Sequence, residues 1–210
     1  FLHLLAESLK KLGGPDWEIL VQGEECFAKG VPVGMEQELP RTPQVFRKRE
    51  KFRQLDITEF QPDMKNYSTA EMSSEQLEDH FRKDEQMGRM IPTTLAEAKQ
   101  EFGEGAVLVA AMGAIQKPDN TIRPLHDGTH GINLNNKIRI LDRLEVPGPE
   151  EVIELVAMAA ESKESAFCLS ADIAQAHRCV LVRKKDWGRL ACRASTDSRT
   201  LWLNCVGTFG

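Results

Sequence analysis

The sequence predicts an α+β fold: a mainly antiparallel sheet with flanking helices, preceded by a helical and extended N-terminal arm. Three observations carry this expectation. Residues 1–105 combine helical periodicity with a proline-punctuated stretch that keeps no period. Residues 106–210 change to short apolar runs, and two pairs of these runs double back across turn-forming residues. At 210 residues the chain can bury a substantial core. The change of texture divides it into an arm with helices, 1–105, and a mixed α/β region, 106–210.

In chain order, leucines at 2, 4, 5 and 9 followed by Lys10-Lys11 and Gly13-Gly14 predict an amphipathic helix with a glycine stop. Residues 15–68 carry Pro15, Pro32, Pro40, Pro43 and Pro62 and a charged run from Arg47 to Arg53; they read as an extended arm packed on other elements. Ser73-Ser74-Glu75-Gln76 opens a charged helix to about Gly88, and Thr93-Thr94 caps a second, Leu95 to Phe102, closed by Gly103 and Gly105. Ala106 to Met112 is continuously apolar, as in a buried strand. The turn residues Gln116 to Thr121 then lead into Ile122 to Leu125, completing a hairpin. Pro147-Gly148-Pro149 starts a helix from Glu150 to about Glu161, with Val152, Ile153, Leu155, Val156 and Met158 as its apolar side. Phe167 to Ile173 alternates, sending Cys168, Ser170 and Asp172 to the face opposite its apolar residues. A helical turn, Ala174 to Arg178, and a strand, Cys179 to Val182, follow. Gly188 to Ala194 and Thr200 to Val206 pair across Thr196-Asp197-Ser198.

Net charge is −5, which on its face argues against a nucleic-acid partner. The distribution is uneven: residues 171–193 hold six basic side chains (Arg178, Arg183, Lys184, Lys185, Arg189, Arg193) against two acidic ones. Such a stripe suits a phosphate-tracking surface and equally suits a solvated basic loop. No apolar run approaches the roughly 20 residues of a membrane helix, and the N-terminus has no signal-peptide pattern. The five cysteines are odd in number and lack paired metal-ligand spacing. They suit reduced, core-packed thiols in an intracellular protein of nucleus or cytoplasm. Phe1 at the start and an apolar run at Gly210 suggest a piece of a longer protein.

Asp172 closes its expected strand on the non-apolar face, a position suited to a ligand for a hard cation such as Mg²⁺. With Gln175 three residues on, it equally matches a helix capping box. His126 and His130 stand four apart, but Gly128 and Gly131 argue against a helix there and no third ligand is evident.

Three segments together are more specific. Leu169-Ser170-Ala171-Asp172-Ile173-Ala174-Gln175-Ala176-His177, continuing to Asp186-Trp187, resembles the first palm motif of reverse transcriptases. Upstream, Ile115-Gln116-Lys117 through Arg123-Pro124-Leu125-His126-Asp127 and Asn133 resembles that family's fingers hairpin. Downstream, Trp202 to Gly210, ending Gly207-Thr208-Phe209-Gly210, is similar to the strand leading into its Pro-Phe-Gly or Pro-Gln-Gly segment. The stretch Arg123 to His130 is also similar to reverse-transcriptase-like reading frames abundant in dinoflagellates. The resemblance covers residues 106–210 and implies fingers and the start of the palm of an RNA-directed DNA polymerase, a nucleotidyltransferase of retroelement type. It implies that Asp172 and the main-chain carbonyl of Ile173 hold Mg²⁺ (two ions in the complete enzyme). Lys117 and Arg123 would grip the incoming nucleoside triphosphate, with Ala176, His177, Phe209 and Gly210 lining the nucleotide pocket. The partners would be an RNA or DNA template and a primer strand, with no membrane. There are departures. His177 stands where a tyrosine or phenylalanine excludes the sugar 2′-hydroxyl, and Arg178 where an apolar or aromatic residue is usual. The interval from Asp127 to Asn133 is one residue longer than the family pattern. The second palm carboxylates are expected beyond Gly210, since the chain has no Asp-Asp dipeptide, so the fragment alone is expected to be inactive. The alternatives are a non-catalytic nucleic-acid-binding remnant and an RNA-templated RNA polymerase.

Overall fold

Ten residues rich in leucine begin the chain as helix α1 (Leu2–Lys11). Lys10 and Lys11 sit in its last turn, where they complement the negative end of the helix dipole. Gly13, at φ +73°, turns the chain away. The computed structural model describes residues 1–35, 46–48, 58–138, 142–144, 147–162, 167 and 170–209. Helix α2 (Trp17–Val21) follows, then strand β1 (Phe46–Lys48), helix α3 (Ser68–Glu71) and helix α4 (Ser74–Gln86). Strand β2 (Met90–Thr93) leads into helix α5 (Leu95–Phe102). The expected cap of α5 is present: the Glu97 amide donates to Thr94 Oγ1 at 3.2 Å and the Thr94 amide donates to Glu97 Oε2 at 2.9 Å. Gly103 at φ +91° ends it.

The remaining elements are β3 (Ala111–Gln116), β4 (Ile122–Asp127), α6 (Leu134–Lys137), β5 (Asp142–Leu144), α7 (Pro149–Glu161), β6 (Ala191–Cys192) and β7 (Leu201–Asn204). All the ladders are antiparallel: β1 with β5, β3 with β4, and a three-stranded sheet in the order β2-β7-β6. The fold is thus α+β with small antiparallel sheets. The pairing of β2 with β7 joins the two sequence regions in one sheet.

The chain forms two compact units, one of Phe1–Gln37, Gln54–Ile138 and Gln175–Gly210, the other of Glu38–Arg53 and Arg139–Ala174. The first contains three clusters. Leu77, Phe81, Met90, Met112 and Trp202 form one, with the Phe81 and Trp202 rings 5.7 Å apart. Val107, Val109, Leu201 and Leu203 form another against α5. Leu108, Ala110, Ile132, Leu134, Val182 and Leu190 form the third, joined by Val33 and Met35 of the arm.

Several expected strands take another form. The run Ala106 to Met112 is not one strand: a 3₁₀ turn covers Glu104–Ala106, Val109 makes isolated bridges to Asp63 and Ala191, and β3 begins only at Ala111. Successive amides find different partners, Leu108 on Gly188 O, Val109 on Pro62 O and Ala110 on Ala191 O, so no continuous ladder forms. The expected strand over 179–182 is reduced to isolated bridges at Leu181 and Val182 after a 3₁₀ turn, Ala176–Cys179, and that over 188–194 is reduced to β6, paired with β7, after the 3₁₀ stretch Lys184–Leu190. The cause of the second is ionic. A 3₁₀ helix stacks residues three apart, and Asp186 receives Arg183 Nε at 2.5 Å and Arg189 Nη1 at 3.0 Å. Of the strand expected over 167–173, positions 168 and 169 lie outside the described residues, and the others carry no strand. No helix among the described residues is long and apolar enough to cross a membrane.

Candidate functional site

Within the first unit, the β3–β4 hairpin faces the segment Gln175–Arg178 and the residues after β7 across a cavity of about 530 Å³, a size usual for small-molecule sites. Its inner wall is Phe81, Met90, Met112 and Cys192. Lys117, Arg123, Ala176, His177 and Phe209, five of the residues singled out from sequence, line the same cavity. Backbone chemistry brings them together. The hairpin turn closes through the Lys117 amide on Thr121 O at 2.8 Å, with Asn120 at φ 61°. The His126 amide donates to Phe209 O at 2.8 Å, tying the residues after β7 to β4. A Cβ on Gly207 would meet His177 O at 2.6 Å, so the bare glycine lets the two backbones approach.

The side chains then divide by charge. Among the described residues neither Lys117 nor Arg123 forms a salt bridge, and the Arg123 guanidinium lies 5.8 Å from the Phe209 ring centre. The His177 and Phe209 rings are 5.4 Å apart at 39°. Burial and the neighbouring Arg178 lower the His177 pKa. Burial likewise lowers that of His80. His126, fully enclosed in the wall, is pushed down to about 4 by burial, and among the described residues neither of its ring nitrogens has a hydrogen-bond partner. Burial also raises the Cys192 thiol to about 12, which makes it a packing residue and a poor nucleophile.

Asp172 and Ile173 belong to the other unit, are exposed, and lie outside any strand. The capping alternative for Asp172 is not adopted: the 3₁₀ turn starts after Gln175, itself at φ 52°, with no side-chain cap. Gly210 lies outside the described residues. His126 is on β4 and His130 in the turn beyond, and no group of three His, Cys, Asp or Glu side chains assembles among the described residues. Asp172 alone is not a two-ion donor set, so the residues described here do not furnish a Mg²⁺ site of the kind the resemblance implies.

Most of the cations of the basic stripe over 171–193 are paired with carboxylates. Arg178 pairs with Asp84, Arg183 with Asp186 and Glu25, Arg189 with Asp186, Lys184 with Glu101 and Arg193 with Asp63. Only Lys185 lacks a carboxylate partner among the described residues. Besides Asp186 of the stripe itself, the partners Asp84, Glu25, Glu101 and Asp63 lie far away in sequence, and a local charge count cannot see them.

No family model, no curated protein and no solved structure matches the chain.

Sequence reasoning passed over Asp84, Asn204 and His126 as parts of the cavity wall. For Asp84 a signal existed. Leu77, Phe81 and Asp84 fall at i, i+4 and i+7, and all three are buried on one face of α4. A carboxylate on an apolar stripe needs a partner, and here it is Arg178 at 2.6 Å.

Proposed function

We propose that the cavity binds a nucleoside triphosphate, and that the chain is the fingers and first palm segment of a template-directed nucleotidyltransferase, an RNA-directed DNA polymerase. The observation that carries this reading is the convergence of Lys117, Arg123, Ala176, His177 and Phe209, distant in sequence, on one cavity. Two cations that form no salt bridge among the described residues, beside an aromatic pair, suit an anionic ligand with a planar ring. Lys117 would act as a point charge and Arg123 as a bidentate fork on phosphate oxygens. In the reaction the primer 3′-hydroxyl gives up its proton to water and its oxygen attacks the α-phosphate; the new phosphodiester forms as the bond to the bridging oxygen breaks, and pyrophosphate leaves with that electron pair. Both cations would neutralise charge on the triphosphate as it departs. The Mg²⁺ pair belonging to this chemistry would need carboxylates beyond Asp172.

The test is binding of a fluorescent (mant-labelled) dATP to the 210-residue chain. Lys117→Ala and Arg123→Ala should each weaken it about tenfold, the loss of one charge-assisted contact. Undiminished binding by both variants would sink the proposal. Primer extension by the full-length protein, with ribo- and deoxynucleotides and with Asp172→Ala as control, separates the DNA polymerase from two other readings. One is an RNA polymerase, which His177 in place of a bulkier aromatic would permit. The other is a remnant without turnover, which the exposed, strandless setting of Asp172 favours.

A further inference from the structure

Arg178 stands where the resemblance leads one to expect an apolar or aromatic residue, and its surroundings give it a task. Its Nη2 donates to Asp84 Oδ2 at 2.6 Å, and its Nη1 donates to Asn204 Oδ1 at 2.7 Å and to Gly207 O at 3.2 Å. Arg178 and Asp84 are both buried, at 9% and 3% exposure. Asp84 serves a second guanidinium: Arg89 Nη1 is 3.6 Å from its Oδ1, and the same Nη1 donates to Gln175 Oε1 at 3.0 Å. The Arg89 amide bonds Asp84 O at 2.8 Å, so the corner after α4 is closed on itself. One carboxylate on α4 therefore holds both ends of the Gln175–Arg178 turn, which presents Ala176 and His177 to the cavity. Through Gly207 it also holds the strand end that presents Phe209.

We infer that Asp84 is a positioning residue of the cavity, fixing the turn that carries His177 and the segment that carries Phe209 through Arg178 and Arg89. The anchoring half stands on the geometry alone; the consequence for ligand rests on the reading that this cavity takes a nucleoside triphosphate. A buried carboxylate with two guanidinium partners is costly to assemble and does not by itself argue for stability. Its effect here is directional. The planar fork of Arg178 fixes three segments at once, which a lysine at the same place could not do.

Asp84→Asn removes the charge at constant size, and Arg178→Lys keeps the charge while removing the fork. Asp63→Asn, which breaks the Arg193 pair away from the cavity, is the control for a lost ion pair. Hydrogen exchange and mant-dATP titration on the 210-residue chain are the two readouts. Either cavity variant should speed exchange of the Arg178 and Gly207 amides at least tenfold while leaving the Met64 amide, bonded to Val109 O, unchanged. Either should also weaken mant-dATP about tenfold, whereas Asp63→Asn does neither. Exchange that is unchanged, or faster across the whole unit, overturns the inference. So does local loosening with nucleotide affinity intact. If the unsubstituted chain does not bind mant-dATP, the nucleotide reading fails, and the exchange pattern alone decides the anchoring. If Asp84→Asn does not fold, Arg178→Lys carries both readouts.

Discussion

His126 is the group in the cavity wall whose protonation the fold resists most clearly. Burial sets its pKa near 4, against upward pulls from the nearby backbone and Asp127, with Arg178 adding a smaller push downward. The unfolded chain takes up the proton near pH 6.5 and the folded chain only near 4. Stability is therefore complete above about pH 6.5 and is lost progressively as pH falls toward 4, by at most about 3 kcal/mol. His126→Leu should flatten that part of the curve of Tm against pH, because the remaining titrating groups are unchanged. A curve as steep as that of the unsubstituted chain between pH 6.5 and 4 would assign the acid sensitivity to other groups.

Among the elements, the 3₁₀ stretch Lys184–Leu190 shows a charge pattern overriding a strand-like sequence. Asp186 is 1% exposed and accepts from Arg183, Arg189 and the Val33 amide, the last at 3.0 Å. Removing one member of such a buried set leaves the others uncompensated, so Asp186→Ala should cost about 3–5 kcal/mol of unfolding free energy. Denaturant titration measures this directly, and a loss under 1 kcal/mol would mean the arginines find water instead. The run Val107–Ala110 makes a related point. Val107 and Val109 face one apolar cluster and Leu108 and Ala110 another, so the segment is apolar throughout without belonging to one ladder. Helix α7 forms where its Pro149 start predicts. Its apolar residues Val152, Ile153, Leu155, Val156 and Met158 nevertheless stay 52–68% exposed, which amphipathicity alone could not have told.

At the scale of the molecule, the arm is part of the first unit's core. Val33 and Met35 pack against the cluster that contains Leu108 and Val182, Val31 bridges Val182, and Glu25 pairs with Arg183. At Gly30, with φ +108°, a Cβ would meet Arg183 N at 2.7 Å, so the docked arm leaves no room for a side chain there. Deleting residues 1–35 should strip one cluster of its cover and leave Asp186 short of a donor. A loss of about 4 kcal/mol corresponds to a Tm lower by on the order of 10 °C for a chain of this length. Calorimetry of the truncated chain decides it, and an unchanged Tm would make the arm an ornament on an independent core.

Local chemistry in the sequence was enough for α1, α4, α5 and α7, the Thr94–Glu97 cap and the β3–β4 turn, because each rests on interactions within about four residues; it did not show α2, α3 or α6. The family resemblance, not local chemistry, named Lys117, Arg123, Ala176, His177 and Phe209 together, and the five line one cavity. Where the strands end, which cations remain unpaired, and that Asp84 and His126 form the cavity wall were decided only by the tertiary structure. The physical reason is common to all three. Burial and ion pairing join residues roughly a hundred positions apart, as in Asp84 with Arg178, and a partner's carboxylate or another strand's carbonyl changes what a local pattern does.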